Sequence, residues 1–275
     1  MLPRSDQRVG VIGMGLMGSA IAERLGAGCG WDLDPQRCVE ATCAQDVFDR
    51  SEFVFFCLHA TDDVREILDH VTLRAEHCII DTGTGNPFEV EELAAIIEHR
   101  NAQYMDATIS GSSVQVRQCD VVTMVGAKNE TLAHCRDLLM AFSREVLHVG
   151  PCGAGAKMKL VSNLVLGLNR AALAEGLVFA SHLGLDGNQV LDVLQTGMAY
   201  SKIMDTKGRK MLERDYAVQA KLSQHLKDVQ LMLKCVDRDL PLTLAHEQLL
   251  EKAAALGYAD ADNSAVIEAL LNESE

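Results

Sequence analysis

Val9-Gly10-Val11-Ile12-Gly13-Met14-Gly15-Leu16-Met17-Gly18, running on into Ser19-Ala20-Ile21-Ala22-Glu23-Arg24-Leu25, is the stretch that decides the fold. Arg8–Ile12 reads as a short buried strand and Leu16–Leu25 as a helix. Between them Gly13, Gly15 and Gly18 form G-x-G-x-x-G. The first glycine permits a tight turn, the second lets backbone approach a pyrophosphate, and the third lets helix and strand pack closely. The N–H groups at the helix start would then face phosphate oxygens. The loop Gly13, Met14, Gly15, Leu16, Met17 and Gly18 is therefore expected to bind a dinucleotide; a purely structural glycine turn is the alternative.

Working outward, strand and helix signals alternate through the first half. Phe53–Leu58 is a continuous apolar run, as a buried parallel strand requires. Val64–Val71 reads as a helix, Cys78–Asp81 as a strand and Pro87–His99 as an amphipathic helix. Tyr104–Ala107 and Val121–Val125 are further strands, and Leu132–Phe142 is a helix before a strand at Val146–Val149. Alternation of this kind predicts a mainly parallel, doubly wound sheet with helices on both faces, the Rossmann type of α/β architecture.

The pattern changes at Gly150-Pro151-Cys152-Gly153-Ala154-Gly155. Ala156–Leu183 reads as one long, mostly apolar helix, and helices are expected at Gly187–Leu194, Ser201–Leu212, Val218–Asp237, Leu242–Leu256 and Ser264–Leu271. The expected division is residues 1–152 as a dinucleotide-binding domain and residues 153–275 as an all-helical domain for substrate binding and dimerisation, with the active site in the cleft between them. Leu160, Leu164, Leu168, Leu173 and Leu177 on one side of the long helix, with Val161, Val165 and Ala172 on another, exceed what one small domain covers. A homodimer or homotetramer is expected.

Composition narrows the class. The chain has 275 residues, 48% hydrophobic and 23% charged, which excludes disorder and low complexity. A net charge of −14 excludes a broadly basic surface for nucleic acid or anionic lipid, so an anionic ligand needs a local positive site. Nine scattered cysteines without a C-x-x-C pair predict free thiols, no zinc site and a reducing, cytoplasmic compartment. Met1–Asp6 fits neither a signal nor a transit peptide. No run reaches about 18 uncharged apolar residues, so no membrane span is expected.

A dinucleotide site needs an acid at the end of the second strand to hold the ribose hydroxyls. Asp32 in Gly30-Trp31-Asp32-Leu33-Asp34-Pro35 is the candidate, although Gly26–Trp31 is short and glycine-rich for a strand. A turn acid ahead of Pro35 is the alternative. No arginine immediately follows Asp32, which leans towards NAD over NADP. Further on, Lys159 and Asn163 stand four apart, on one face of the long helix and just after its glycine-rich entry. A lysine there can protonate a carbonyl oxygen as hydride reaches the carbon, and take the proton back in reverse. Asn163 would orient it; a solvated lysine at a helix start is the plain alternative. Lys157 is the decoy, and the spacing to Asn163 selects Lys159.

Four blocks give the chain a resemblance to the β-hydroxyacid dehydrogenases, the family of 3-hydroxyisobutyrate dehydrogenase and tartronate semialdehyde reductase. They are Gly10–Gly18; Asp106-Ala107-Thr108-Ile109-Ser110-Gly111-Ser112, similar to D-A-P-V-S-G-G; Gly153–Asn163, similar to G-x-G-x-x-x-K-x-x-x-N; and Lys227-Asp228, with Tyr258–Leu271 after it. The resemblance implies a dehydrogenase or reductase using NAD or NADP on a small hydroxy acid or semialdehyde. It implies catalytic roles for Lys159 and Asn163, carboxylate binding by Ser110, Gly111, Ser112 and Lys227, and cofactor contacts from Leu58, Thr84 and Asp228. It also implies no metal. Departures from the family pattern are Ser112, Gln115-Val116, Gly83 before Thr84, and His59 where relatives have proline. Two rival functions keep the same plan: an imine reductase, against which Lys159 argues, and a catalytically idle NAD(P) sensor, motivated by the short second strand.

Overall fold

The computed structural model describes residues 8–271, so the reading of Met1–Asp6 concerns residues outside that range. The chain divides into two compact units, the first ending at Leu160 and the second beginning at Val161.

The first unit is built on a seven-stranded sheet of order β2-β1-β3-β4-β5-β6-β7. In chain order its elements are β1 (Val9–Ile12), α1 (Leu16–Leu25), β2 (Cys29–Trp31), α2 (Ala44–Arg50), β3 (Phe53–Phe56), α3 (Thr61–Asp69), β4 (Cys78–Asp81), α4 (Pro87–His99), β5 (Gln103–Ser110), α5 (Ser113–Arg117), β6 (Val122–Gly126), α6 (Asn129–Met140) and β7 (Glu145–Gly150). All neighbours pair parallel except β5 with β6. That exception follows from the link between them, which holds only the short α5 and is too brief for a parallel crossover.

Side chains alternate between two buried layers as the strand period demands. Val9, Val11, Phe53, Phe55, Cys78 and Ile80 face one core cluster. Ile12, Val54, Phe56 and Ile79 face the other. With both faces covered, these strands carry no polar face, which is why they read as continuous apolar runs.

The structure departs from the sequence expectation locally. The second strand is indeed short, Cys29–Trp31. A Cβ at Gly30 would lie 2.7 Å from Met14 Sδ, so glycine there lets the β1–α1 loop rest on the strand. Helix α2 was not expected. Its start is a capping box between Cys43 and Asp46, and cysteine is not a usual cap signal. Strand β5 continues past Ala107 to Ser110.

The second unit is helical. Helix α7 (Ala154–His182) starts in the first unit and continues into this one, followed by α8 (Gly187–Thr196), α9 (Ile203–Glu213), α10 (Leu222–Lys234), α11 (Pro241–Ala253) and α12 (Glu268–Leu271). The helix expected to Leu256 ends earlier as α11, in a π turn where Gly257 takes φ +97°. The helix expected at Ser264–Leu271 is a 3-10 turn, Asn263–Ile267, and then α12. Asp262 organises that turn. Its carboxylate accepts from Lys207 Nζ at 2.8 and 2.9 Å, from the Gln219 and Ala220 amides, and from Ser264 N and Oγ. Burial would push Asp262 up, but Lys207 and these amides hold it well below the usual carboxylate range, at about 2. Helix α7 is long and apolar enough to cross a membrane by length and composition alone. It carries Lys157, Lys159, Arg170 and Glu175, and its Arg170, Leu173, Ala174 and Leu177 are buried.

Candidate active site

The glycine loop has the geometry of a phosphate cradle. Gly13 takes φ +88°, and a Cβ there would meet the Cys57 carbonyl at 2.6 Å. A Cβ at Gly18 would lie 1.9 Å from the Gly13 carbonyl oxygen, so this glycine seats α1 against the turn. A Cβ at Gly15 would meet nothing within 4 Å. Gly15 is the N-cap of α1 with no side-chain cap, which leaves backbone N–H groups directed out of the helix start. The open side at Gly15 and the uncapped helix start fit a dinucleotide pyrophosphate. Leu16 is 73% exposed beside them.

The neighbouring loops gather at the same edge, the carboxyl ends of the strands, where β1 lies between β2 and β3. Asp32, just past β2, accepts from Met14 N at 2.8 Å and from Asp34 N at 2.9 Å. The expected ribose acid is thus tied to the glycine loop. Leu58, after β3, packs on the turn at Gly13, and a Cβ at Gly83 would meet the Leu58 carbonyl at 2.7 Å. Thr84 is half-buried in that loop after β4, and His59 is exposed. Burial pushes the Cys57 thiol up to about 12, so it is not a thiolate nucleophile at neutral pH.

Farther along the sheet, β5 ends at Ser110, and Gly111 follows with φ +149°. Ser112 caps α5: its hydroxyl accepts from Gln115 N, while Gln115 Oε1 accepts from Ser112 N at 3.0 Å. Lys159 Nζ donates to the Ile109 carbonyl at 2.6 Å, so the ammonium stands directly beside the Ser110-Gly111-Ser112 turn. Lys157, one of the two candidate lysines, is engaged with Glu91 Oε1 at 2.5 Å instead.

Asp106 sets this arrangement from below. It accepts from Gly153 N and Ala156 N, both at 2.7 Å, and so holds the head of α7 to β5. Gly155 is required there, since a Cβ would lie 2.7 Å from Asp106 Oδ2. Burial pushes the Asp106 carboxyl up, against these amide bonds. Asp106 lies within the D-A-T-I-S-G-S block, and the motif alone does not reveal its work. The available signal was an acid inside an otherwise apolar buried strand.

In the second unit, Asn163 Nδ2 donates to Asp228 Oδ2 at 2.9 Å, joining α7 to α10. Asp228 is half-buried, and Lys227 beside it is exposed. Among the described residues no group of three or more His, Cys, Asp and Glu side chains is placed to hold a metal ion.

Comparison with known proteins accounts for both units. Residues 8–150 match the model of the NAD binding domain of 6-phosphogluconate dehydrogenase, and residues 153–270 match that of NADP-dependent 3-hydroxyisobutyrate dehydrogenase. The chain is 28% identical to 2-hydroxy-3-oxopropionate reductase of Escherichia coli (strain K12), over 96% of this chain and 97% of that one. The structure of Mycobacterium tuberculosis 3-hydroxyisobutyrate dehydrogenase with L-serine superposes with a TM-score of 0.87 at 25% identity, covering 99% of this chain and 100% of the other. The cytokine-like nuclear factor N-PAC of Pongo abelii is 26% identical over 98% of this chain, which spans only 52% of that longer protein. The chain belongs to the β-hydroxyacid dehydrogenase family and is an NAD(P)-dependent dehydrogenase.

Proposed function

We propose that the enzyme moves a hydride between NAD(P) and a small 3-hydroxy acid or the corresponding semialdehyde carboxylate, with Lys159 as general acid and base. The observation that carries this reading is the 2.6 Å bond from Lys159 Nζ to the Ile109 carbonyl, which puts the proton carrier beside the Ser110-Gly111-Ser112 turn. Bound NAD(P) supplies the hydride acceptor in oxidation and the donor in reduction. Lys159 takes the hydroxyl proton in oxidation and returns a proton to the carbonyl oxygen in reduction. Asn163, fixed by Asp228, orients the lysine and the substrate oxygen.

The Ser110 hydroxyl and the Gly111 N–H offer donors to the substrate carboxylate, the Ser112 N–H and hydroxyl join them on leaving Gln115, and Lys227 adds a cation in an acidic protein. Gly13 through Gly18, Asp32, Leu58, Thr84 and Asp228 hold the cofactor, with NAD favoured by the absence of an arginine immediately after Asp32. Similarity to 2-hydroxy-3-oxopropionate reductase and 3-hydroxyisobutyrate dehydrogenase supports a small hydroxy- or oxo-carboxylate. Small hydroxy acids screened with NAD and with NADP, followed by reduced-cofactor absorbance, test the assignment. Turnover of a 3-hydroxy acid is expected; cofactor binding without turnover of any hydroxy acid would favour the idle sensor.

The division at residues 152/153 and a cytoplasmic location belong to the same proposal, and no disulfide joins any of the nine cysteines. So does a homodimer or homotetramer. Val161, Val165, Leu166 and Phe179 of α7 are exposed, Phe179 by 64%, which is more apolar surface than a helix facing water carries. Light scattering at micromolar concentration should report more than one chain, and a monomer would contradict it.

A further inference from the structure

The second strand ends before the residue that must face the cofactor. Its last ladder pair is Trp31 with Ile12, so Asp32 lies just beyond the hold of the sheet. A side chain that recognises a ligand must be held to within about 0.5 Å, which requires supporting contacts of its own.

The chain supplies that support by turning back on itself. Pro35–Arg37 forms a short 3-10 turn, opened by the Asp34 carboxylate, which accepts from Gln36 N at 3.1 Å. Val39 then returns antiparallel beside β2, and Gly30 and Val39 exchange both backbone bonds at 2.8 Å. The return brings Cys38 against Asp32. The Cys38 sulfur accepts from Asp32 N at 3.4 Å, and the thiol donates to the Asp32 carbonyl oxygen at 3.3 Å. Both backbone groups of residue 32 thus end on one side chain. That fixes the peptide planes on either side of it, and with them the direction of its side chain. The carboxylate is held at its far end as well, Oδ2 by Met14 N and Oδ1 by Asp34 N. An ionised carboxylate has about four acceptor positions, so each oxygen keeps one for a ribose hydroxyl.

We propose that Cys38 is a positioning residue for cofactor binding: its thiol sets the Asp32 carboxylate for the two hydroxyls of the adenosine ribose. This inference rests on the reading of Asp32 as the acid that holds that ribose. Cys38 takes no part in hydride or proton transfer and acts through residue 32. Serine at this position keeps a donor and an acceptor, whereas alanine keeps neither.

NADH binding to the full chain, measured by calorimetry, tests this with Cys38→Ala, Cys38→Ser, Asp32→Asn and the double variant Cys38→Ala/Asp32→Asn. Calorimetry avoids the fluorescence of Trp31, which stands next to the altered turn. Cys38→Ala loses two weak hydrogen bonds, so its Kd for NADH should rise about tenfold, and Cys38→Ser should bind close to the wild type. In the Asp32→Asn background, Cys38→Ala should change Kd by about twofold at most, because the group it positions is gone. A merely structural role would weaken binding by the same factor in both backgrounds, and that result would overturn the proposal. An unchanged Kd in Cys38→Ala, or failure of that variant to fold, would overturn it too. If Asp32→Asn binds NADH as the wild type does, the ribose reading of Asp32 fails first and the role of Cys38 falls with it.

Discussion

Gly15 and Gly18 sit three residues apart in one motif, yet substitution should separate them. A Cβ at Gly18 collides with backbone, the Gly13 carbonyl at 1.9 Å, which cannot yield without moving α1. Gly18→Ala should therefore cost at least the 1–3 kcal/mol (about) typical of overpacking, and lower Tm. Gly15 has φ −69° and open space around it, so Gly15→Ala should unfold like the wild type. It should nonetheless weaken NADH binding, because the added methyl stands where the pyrophosphate must approach. Equal effects of the two substitutions on Tm would contradict this division of labour. The sequence motif made the backbone requirement at Gly13 and Gly18 legible, because each is fixed by local spacing. The work of Asp106 was not legible, since its partners Gly153 and Ala156 lie far along the chain.

Strands β4 and β5 each carry a buried acid, Asp81 at the end of β4 and Asp106 in the middle of β5, and their elements depend on them. Asp81, closing β4, accepts from Gly83 N and from Tyr104 Oη of β5, both at 2.8 Å. Burial pushes its carboxyl up to about 6. A folded pKa above the unfolded one means the protonated form is favoured in the fold. Its contribution is fully present below about pH 4 and is lost as pH rises through about 6, a difference of about 3 kcal/mol. The stability of wild type relative to Asp81→Asn should fall across that window in denaturant unfolding; a flat difference would contradict it. Asp106→Ala leaves two buried amides at the head of α7 without acceptors, each costing about 1–3 kcal/mol, and should lower both Tm and turnover. Loss of turnover without loss of Tm would show that Asp106 does not anchor the helix. At this scale the long periodic elements were readable and the short ones were not. Helix α4 announced itself with Asn86-Pro87 and an apolar period. Helix α5 is five residues opened by Ser112 and Gln115, a capping box within a turn that read as a substrate loop.

For the whole molecule, the change from alternating strands and helices to helices alone was visible because it repeats over many elements, and Gly150–Gly155 marks it. Asn163 and Asp228 are joined only by folding, which local periodicity does not report. The central claim is that cofactor binding and proton transfer are separate tasks, and that Lys159 performs the second. Lys159→Ala should cut turnover of the confirmed substrate by about 10²–10⁴-fold. Asn163→Ala should cost less, and the double substitution should be non-additive because the pair acts as one unit. NADH titration followed by the fluorescence of Trp31, the single tryptophan at the end of β2, reports binding independently of chemistry. The most direct test runs both measurements on Lys159→Ala: NADH quenching of Trp31 should match the wild type while turnover collapses. Near-normal turnover in that variant would contradict the account and make Lys227 the next candidate proton carrier.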